Sequence, residues 1–195
     1  MNNLEIAGFI FGIAGVWLTI KEHWTCFPIG LVNVTISLFL FMEQKLYSDS
    51  LQQGVYIFLL AYGWYQWRNV NNYSRPVVGY LTGKMIAILS GLFLLSAYTM
   101  GFLFGKYTDA DVPFMDATAT TLSFIAQYLI AKKKIENWLL WMIVNLMYIG
   151  IYTYKELYFY AVLFAIYLVL AVIGYLKWKK ILIATGKFSA NERFN

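Results

Sequence analysis

Charge, cysteine and histidine are all scarce in this sequence, and each scarcity closes off a class of function. Only 13% of the 195 residues are Asp, Glu, Lys or Arg, against 61% hydrophobic, which is too little polar material to coat a soluble globule. The single Cys26 excludes an intramolecular disulfide and a cysteine metal cluster, and the lone His23 among ten carboxylates leaves no credible metal site. The longest gap between apolar runs, 69–83, holds Pro76 and several Asn and reads as a loop, so no soluble catalytic domain fits between the runs. Asp109 and Asp111 stand in a loop without a nucleophile or base beside them, which argues against a membrane-embedded transferase. No cofactor is implied.

What is abundant is apolar sequence in runs of about 17 to 22 residues, each roughly what a helix needs to cross a ~30 Å hydrocarbon core. The runs lie near 4–20, 27–43, 48–68, 84–104, 114–131, 137–154 and 157–177, and they predict an all-α integral membrane protein of seven transmembrane helices. The first run has no positive segment before it and no small-residue cleavage site ahead of Lys21 and Glu22, so it reads as a span and not as a signal peptide. A net charge of +5 would suggest a nucleic-acid partner in a soluble protein, but here the cations divide unevenly between the two sides. One side carries Lys45, Lys106 and Lys155. The other carries Lys21, Arg68, Arg75, Lys84, the run Lys132 to Lys134 and five cations from Lys177 onward. By the positive-inside rule the N-terminus is expected outside and the C-terminus in the cytoplasm, with no nucleic acid bound. Trp24, Trp64, Trp67, Trp138 and Trp178 fall near helix ends and read first as membrane anchors.

Sliding the chain against itself by 111 or 112 positions aligns the first three runs with the last three. Val32-Asn33 falls on Val144-Asn145, Tyr47 on Tyr158, Gly63 on Gly174, Trp64 on Tyr175 and Trp67 on Trp178, in the same order. Two three-helix units joined directly would be inverted, and the unpaired run at 84–104 restores their orientation. The plan expected is therefore 3+1+3: a first repeat at 4–68, a linker helix at 84–104, a parallel second repeat at 114–178 and a basic tail at 179–195. Parallel repeats of this kind hold a substrate near the midplane between the halves.

Polar side chains at membrane depth are costly unless they pair or face a cavity, so they mark candidate sites. The fifth helix stacks Asp116, Thr120, Ser123 and Gln127 on one face. Interhelical hydrogen bonding accounts for Thr120 and Ser123, while Gln127 is as well placed for a ligand. The sixth helix carries Trp138, Trp141, Asn145, Tyr148 and Tyr152 on a single face, with Asn145 ~12 Å inside from the helix start. An indole stacks a flat ring and an amide both donates and accepts, which suits a planar heteroaromatic ligand. Asn33 on the second helix and Gln53 on the third complete the candidates, although small neighbours such as Gly30 give Asn33 a packing role too. Pro28 reads as a first-turn residue. No charged residue lies clearly at mid-depth, which disfavours a proton relay and favours facilitated diffusion. A channel would show a ring of charge or a carbonyl filter, and neither is visible.

The stretches Gly30-Leu31-Val32-Asn33-Val34-Thr35, Tyr62-Gly63-Trp64-Tyr65-Gln66-Trp67 and Glu136-Asn137-Trp138-Leu139-Leu140-Trp141 through Asn145 resemble the bacterial nicotinamide riboside transporters called PnuC, over nearly the whole chain. The resemblance implies a pseudo-twofold, seven-helix fold related to the SWEET sugar transporters, often a homotrimer, in the bacterial inner membrane. It further implies vitamin uptake by facilitated diffusion with alternating access, the cargo being trapped by a cytoplasmic kinase. Trp141 and Asn145 match substrate positions of that family, and Gln127 matches less closely. Related branches carry thiamine, riboflavin or deoxynucleosides on the same scaffold, and nicotinamide riboside and thiamine, both cationic heteroaromatics, would each be held by stacking and cation–π attraction. The substrate-binding residues expected are thus Trp141, Asn145, Gln127, Tyr148, Asn33, Gln53, Thr120 and Trp138.

Overall fold

The structure, a computed structural model, describes the backbone of residues 3–43, 47–68, 77–107 and 112–191, with side chains over 6–43, 50–68, 77–107 and 112–184. Lys45, Arg75, Pro76, Asp109, Asp111 and Arg193 lie outside the described residues, as do the side chains of Tyr47, Asp49 and Lys187. Among the described residues the chain forms seven helices: α1 (Asn3–Ile20), α2 (Cys26–Glu43), α3 (Tyr47–Arg68), α4 (Gly83–Tyr107), α5 (Pro113–Ala131), α6 (Glu136–Tyr154) and α7 (Tyr158–Asn191). A helix is present at each of the seven expected runs. The last helix runs beyond the expected end at 177 into the basic tail, where Lys, Leu and Ala are good helix formers and no Pro intervenes. Pro28 is the third residue of α2, inside the first turn, where its missing N–H costs no intrahelical bond.

By length and composition α2, α4 and the Tyr158–Ala184 part of α7 can each cross a membrane, and α1 contributes a shorter apolar stretch, Ile6–Ile20. Helices α3, α5 and α6 are less apolar because they carry Gln52, Gln53, Gln127, Asn137 and Asn145. The packing accounts for that burden. Helix α1 packs on α2, α2 on α3, α3 on α5, α5 on α6, α6 on α7, and α7 back on α1. Six helices so close a ring whose polar residues can turn inward. Helix α4 stands outside the ring on α5, and Gly101 is its only buried residue, held against the Phe114 ring.

The ring is plugged at its basic end by aromatic side chains. Trp67, Trp138 and Trp178 are 6%, 2% and 0% exposed, so these three are core residues and not the membrane anchors that their position near helix ends suggested. Phe27 meets Trp67 edge-on with centroids 4.9 Å apart at 88°, and Trp138 meets Trp178 edge-on at 5.4 Å and 88°. Trp67 and Trp178 then join the pairs at 6.4 Å. Such tilted contacts each add about 0.5–1.5 kcal/mol beyond the area they bury. Both pairs depend on a glycine. A Cβ on Gly63 would run into the Phe27 ring, and one on Gly174 would stand 2.6 Å from the Trp138 ring. Phe27, Gly63 and Trp67 correspond to Trp138, Gly174 and Trp178 by one constant offset, the 111 positions that also separate Glu22 from Lys133.

Two further contacts tie this end together. Lys133 Nζ pairs with Glu22 Oε2 at 2.8 Å and lies 4.6 Å from the centroid of Trp67. The segment before α4 crosses the same end: Gly79 N donates to Lys133 O at 3.1 Å, Ile135 N donates to Gly79 O at 3.0 Å, and Leu81 N donates to Glu136 Oε1 at 2.9 Å. This seats Val78 in the aromatic cluster. Trp24 alone of the five tryptophans is exposed, stacked on half-buried Trp64 at 6.5 Å under the Arg68 guanidinium. Lys179 sits over Tyr175 as Arg68 sits over Trp64, again 111 positions on.

Candidate functional site

Inside the ring lies a cavity of about 310 Å³ to which all six helices contribute, at the lower end of the range for small-molecule sites. Its floor is the aromatic plug, reached through Phe27 and Trp138. Helix α6 adds Trp141 one turn above Trp138 and Asn145 one turn above that, because positions three and four apart share a helix face. Asn33 of α2, Gln53 of α3 and Gln127 of α5 also line the cavity. Asn145 and Gln127 are 2% and 8% exposed. Among the described residues, none of the side chains of Asn33, Gln53, Gln127 and Asn145 makes a hydrogen bond to another protein group. Unspent amides at this depth would be expensive in lipid. Facing a cavity instead of lipid, they are four sets of donors and acceptors held ready for a ligand.

Six of the eight residues expected at the site are therefore gathered on one cavity, and two are not. Thr120 is buried but does not line it, and the Tyr148 hydroxyl faces Gln52, Thr120 and Ser123 between α3, α5 and α6. The polar stripe on α5 divides accordingly. Gln127 reaches the cavity, Ser123 donates to the backbone oxygens of Ala119 and Thr120 at 2.8 and 3.0 Å, and Asp116 pairs loosely with Lys155 at 3.9 Å. The α6 stripe divides too, since Tyr148 and Tyr152 leave the cavity and stack on Phe164, with centroids 4.7 and 5.4 Å away. Phe164 itself lines the cavity, so this aromatic layer forms its cover at the end away from the basic residues.

Among the described residues, no Asp, Glu, Lys, Arg or His lines the cavity. The cations gather at the plugged end instead, where Lys132 lies 5.2 Å from the centroid of Tyr62 and the nearby Tyr62 hydroxyl raises its pKa above the usual lysine value. A neutral cavity walled by indole, phenol and phenyl faces attracts a flat cation through the ring quadrupoles. It offers nothing to neutralise a phosphate. Tyr56 and Tyr167 also line it, and neither was singled out from the sequence as a site residue. They are 111 positions apart, so the repeat offset was the signal that could have found Tyr167.

Comparison with known proteins decides the family. The sequence profile of the family described as Nicotinamide mononucleotide transporter matches residues 2–180. The chain belongs to that family. As a family member it is a membrane transport protein, consistent with its apolar helices. It is similar to the nicotinamide riboside transporter PnuC of Escherichia coli (strain K12) and to that of Shigella flexneri, each 23% identical over 201 residues that cover 90% of this chain and 84% of the relative. Its fold is similar to a crystal structure of the vitamin B3 transporter PnuC, with a TM-score of 0.75, 20% identity, and coverage of 93% of this chain and 82% of the other.

Proposed function

We propose that this family member carries nicotinamide riboside across the bacterial inner membrane by facilitated diffusion. The observation that carries the reading is the neutral, aromatic cavity in which Trp141 stands beside the unspent amides of Asn145 and Gln127. Trp141 supplies a face for the pyridinium ring, and the amides supply the donors and acceptors that a carboxamide requires. The names of the relatives support the same cargo. Absence of a cationic side chain from the lining favours the riboside over its phosphorylated form, because a buried phosphate without a counter-charge bears a large desolvation penalty.

All seven helices cross the bilayer in this proposal, with the N-terminus outside and the basic end in the cytoplasm, as the charge bias supports. The architecture is the parallel 3+1+3 repeat, with α1–α3 and α5–α7 as the two halves and α4 as linker. The matching aromatic trios, the matching cation–aromatic pairs and the position of α4 outside the ring support it. Alternating access then consists of rocking one half against the other, opening first the aromatic cover at Phe164 and then the plug. A cytoplasmic kinase traps the arriving riboside, and the exposed apolar face of α4 is available to a homotrimer or to lipid. The test is uptake of radiolabelled nicotinamide riboside into liposomes holding the purified protein with no ion gradient. Saturable equilibration to the outside concentration supports facilitated diffusion; accumulation only under an imposed proton or sodium gradient overturns it.

A further inference from the structure

Tyr56 and Tyr167 occupy corresponding positions in the two halves, 111 residues apart, yet their hydroxyls meet different surroundings. The Tyr56 hydroxyl faces Ser123 of α5 together with Gln52. Ser123 has committed its own proton to the α5 backbone, so toward any further partner it can act only as an acceptor. The position corresponding to Ser123 in the first half is Gly12 of α1. There the Tyr167 hydroxyl lies directly against Gly12, so closely that a Cβ would collide with it. Among the described residues it makes no hydrogen bond to the protein. At corresponding positions of the chain, one phenol faces a serine and the other a bare glycine.

The unpartnered phenol is not alone. A Cβ on Gly12 would also stand 3.6 Å from Asn33 Nδ2, so the amide of Asn33 and the hydroxyl of Tyr167 converge on the same point of α1, both in the cavity lining. Asn33 comes from α2, across the ring from α6, and Tyr167 from α7, beside α6, so the pair lines the same cavity as Trp141 and Asn145. A phenol that can donate and accept, next to an amide that can do both, matches the neighbouring hydroxyls of a sugar. A flat aromatic base has no hydroxyl to offer them.

We infer that Tyr167, given room by Gly12 and flanked by Asn33, is a specificity-determining residue that hydrogen-bonds a sugar hydroxyl of the cargo while the base stacks at Trp141. This rests on the riboside reading above. It makes the site selective for a glycosylated base, because a buried group built to meet a hydroxyl is left unpaired by a ligand that lacks it.

Calorimetric titration of the purified wild type and of Tyr167→Phe, each with nicotinamide riboside and with its 2′-deoxy and 3′-deoxy analogues, tests the assignment. Loss of one hydrogen bond of ordinary strength weakens binding about fivefold. The expected result is that Tyr167→Phe weakens the riboside by about that factor but causes no further loss for one of the two deoxy analogues, which the wild type already binds more weakly. Gly12→Ala, which displaces the hydroxyl without removing it, is expected to give the same selective pattern. Equal weakening of all three ligands in these variants, or unchanged riboside binding by Tyr167→Phe, overturns the inference while leaving the riboside reading intact. Silence of the folded wild type toward the riboside overturns both.

Discussion

Glu22 and Lys133 form an ion pair of 2.8 Å across the basic end of the helix ring, each from a turn residue in left-handed backbone, with φ of 54° and 49°. Glu22 follows α1 and Lys133 follows α5, so the pair ties the ends of these two helices together at positions 111 residues apart. Both side chains are mostly shielded, at 21% and 14% exposed, and Lys133 is further held over Trp67. A charge-assisted hydrogen bond in such a setting contributes about 1.5–3 kcal/mol.

Removing either partner is therefore expected to loosen the plugged end. Lys133→Ala and Glu22→Gln should each lower the thermal unfolding midpoint in detergent, and Lys133→Glu should lower it more by setting two carboxylates together. The exchange Glu22→Lys with Lys133→Glu should recover much of the loss. A midpoint unmoved by the single changes would show that the pair is screened and contributes little.

Gly63 and Gly174 admit the rings of Phe27 and Trp138, and neither ring can retreat within the plug. Gly63→Ala and Gly174→Ala should each destabilise by about 1–3 kcal/mol, the usual effect of overpacking a dense core. Gly54, with nothing near its added Cβ, should accept Ala without loss. Thermal midpoints of the three variants check the contrast.

The cavity and the polar cluster beside it should separate in binding experiments. Asn145→Ala and Gln127→Ala remove unspent amides from the cavity and are expected to weaken nicotinamide riboside at least tenfold with folding preserved, taking each as a hydrogen bond in a desolvated site. Thr120→Ala and Tyr148→Phe act outside the cavity, so their effect is expected on stability and not on affinity. Equal loss of affinity in all four would merge the two groups.

Without a cation in the lining, nicotinamide mononucleotide should bind at least a hundredfold more weakly than the riboside. Comparable affinities for the two in a competition titration would contradict the neutral-cavity argument.

The seven helices were legible in the sequence because each apolar run carries its own length signal, and their ends agree with the structure except in α7, whose helix continues past the membrane-length stretch. The lining of the candidate cavity was legible in part. Trp141, Asn145, Gln127, Asn33 and Gln53 could be picked out by polarity or helical spacing. Helical spacing alone could not say where along a stripe the cavity stops, so Tyr148 and Thr120 were grouped with residues that the bundle separates. Nor could position near a helix end distinguish an interfacial Trp24 from a buried Trp178, because that depends on a glycine one turn before the latter making room for a ring from another helix. Tyr167 was hidden for a similar reason: its significance lies in Gly12, 155 positions away in the chain, and a small residue carries no polar signal of its own.

The most direct test of the central claim is a calorimetric titration of nicotinamide riboside into the purified protein and into Trp141→Ala, with both shown to be folded by their unfolding midpoints. The account predicts micromolar or tighter binding by the wild type that is abolished in the variant. Binding of equal strength by both would contradict it and leave the aromatic wall of α6 with a packing role alone.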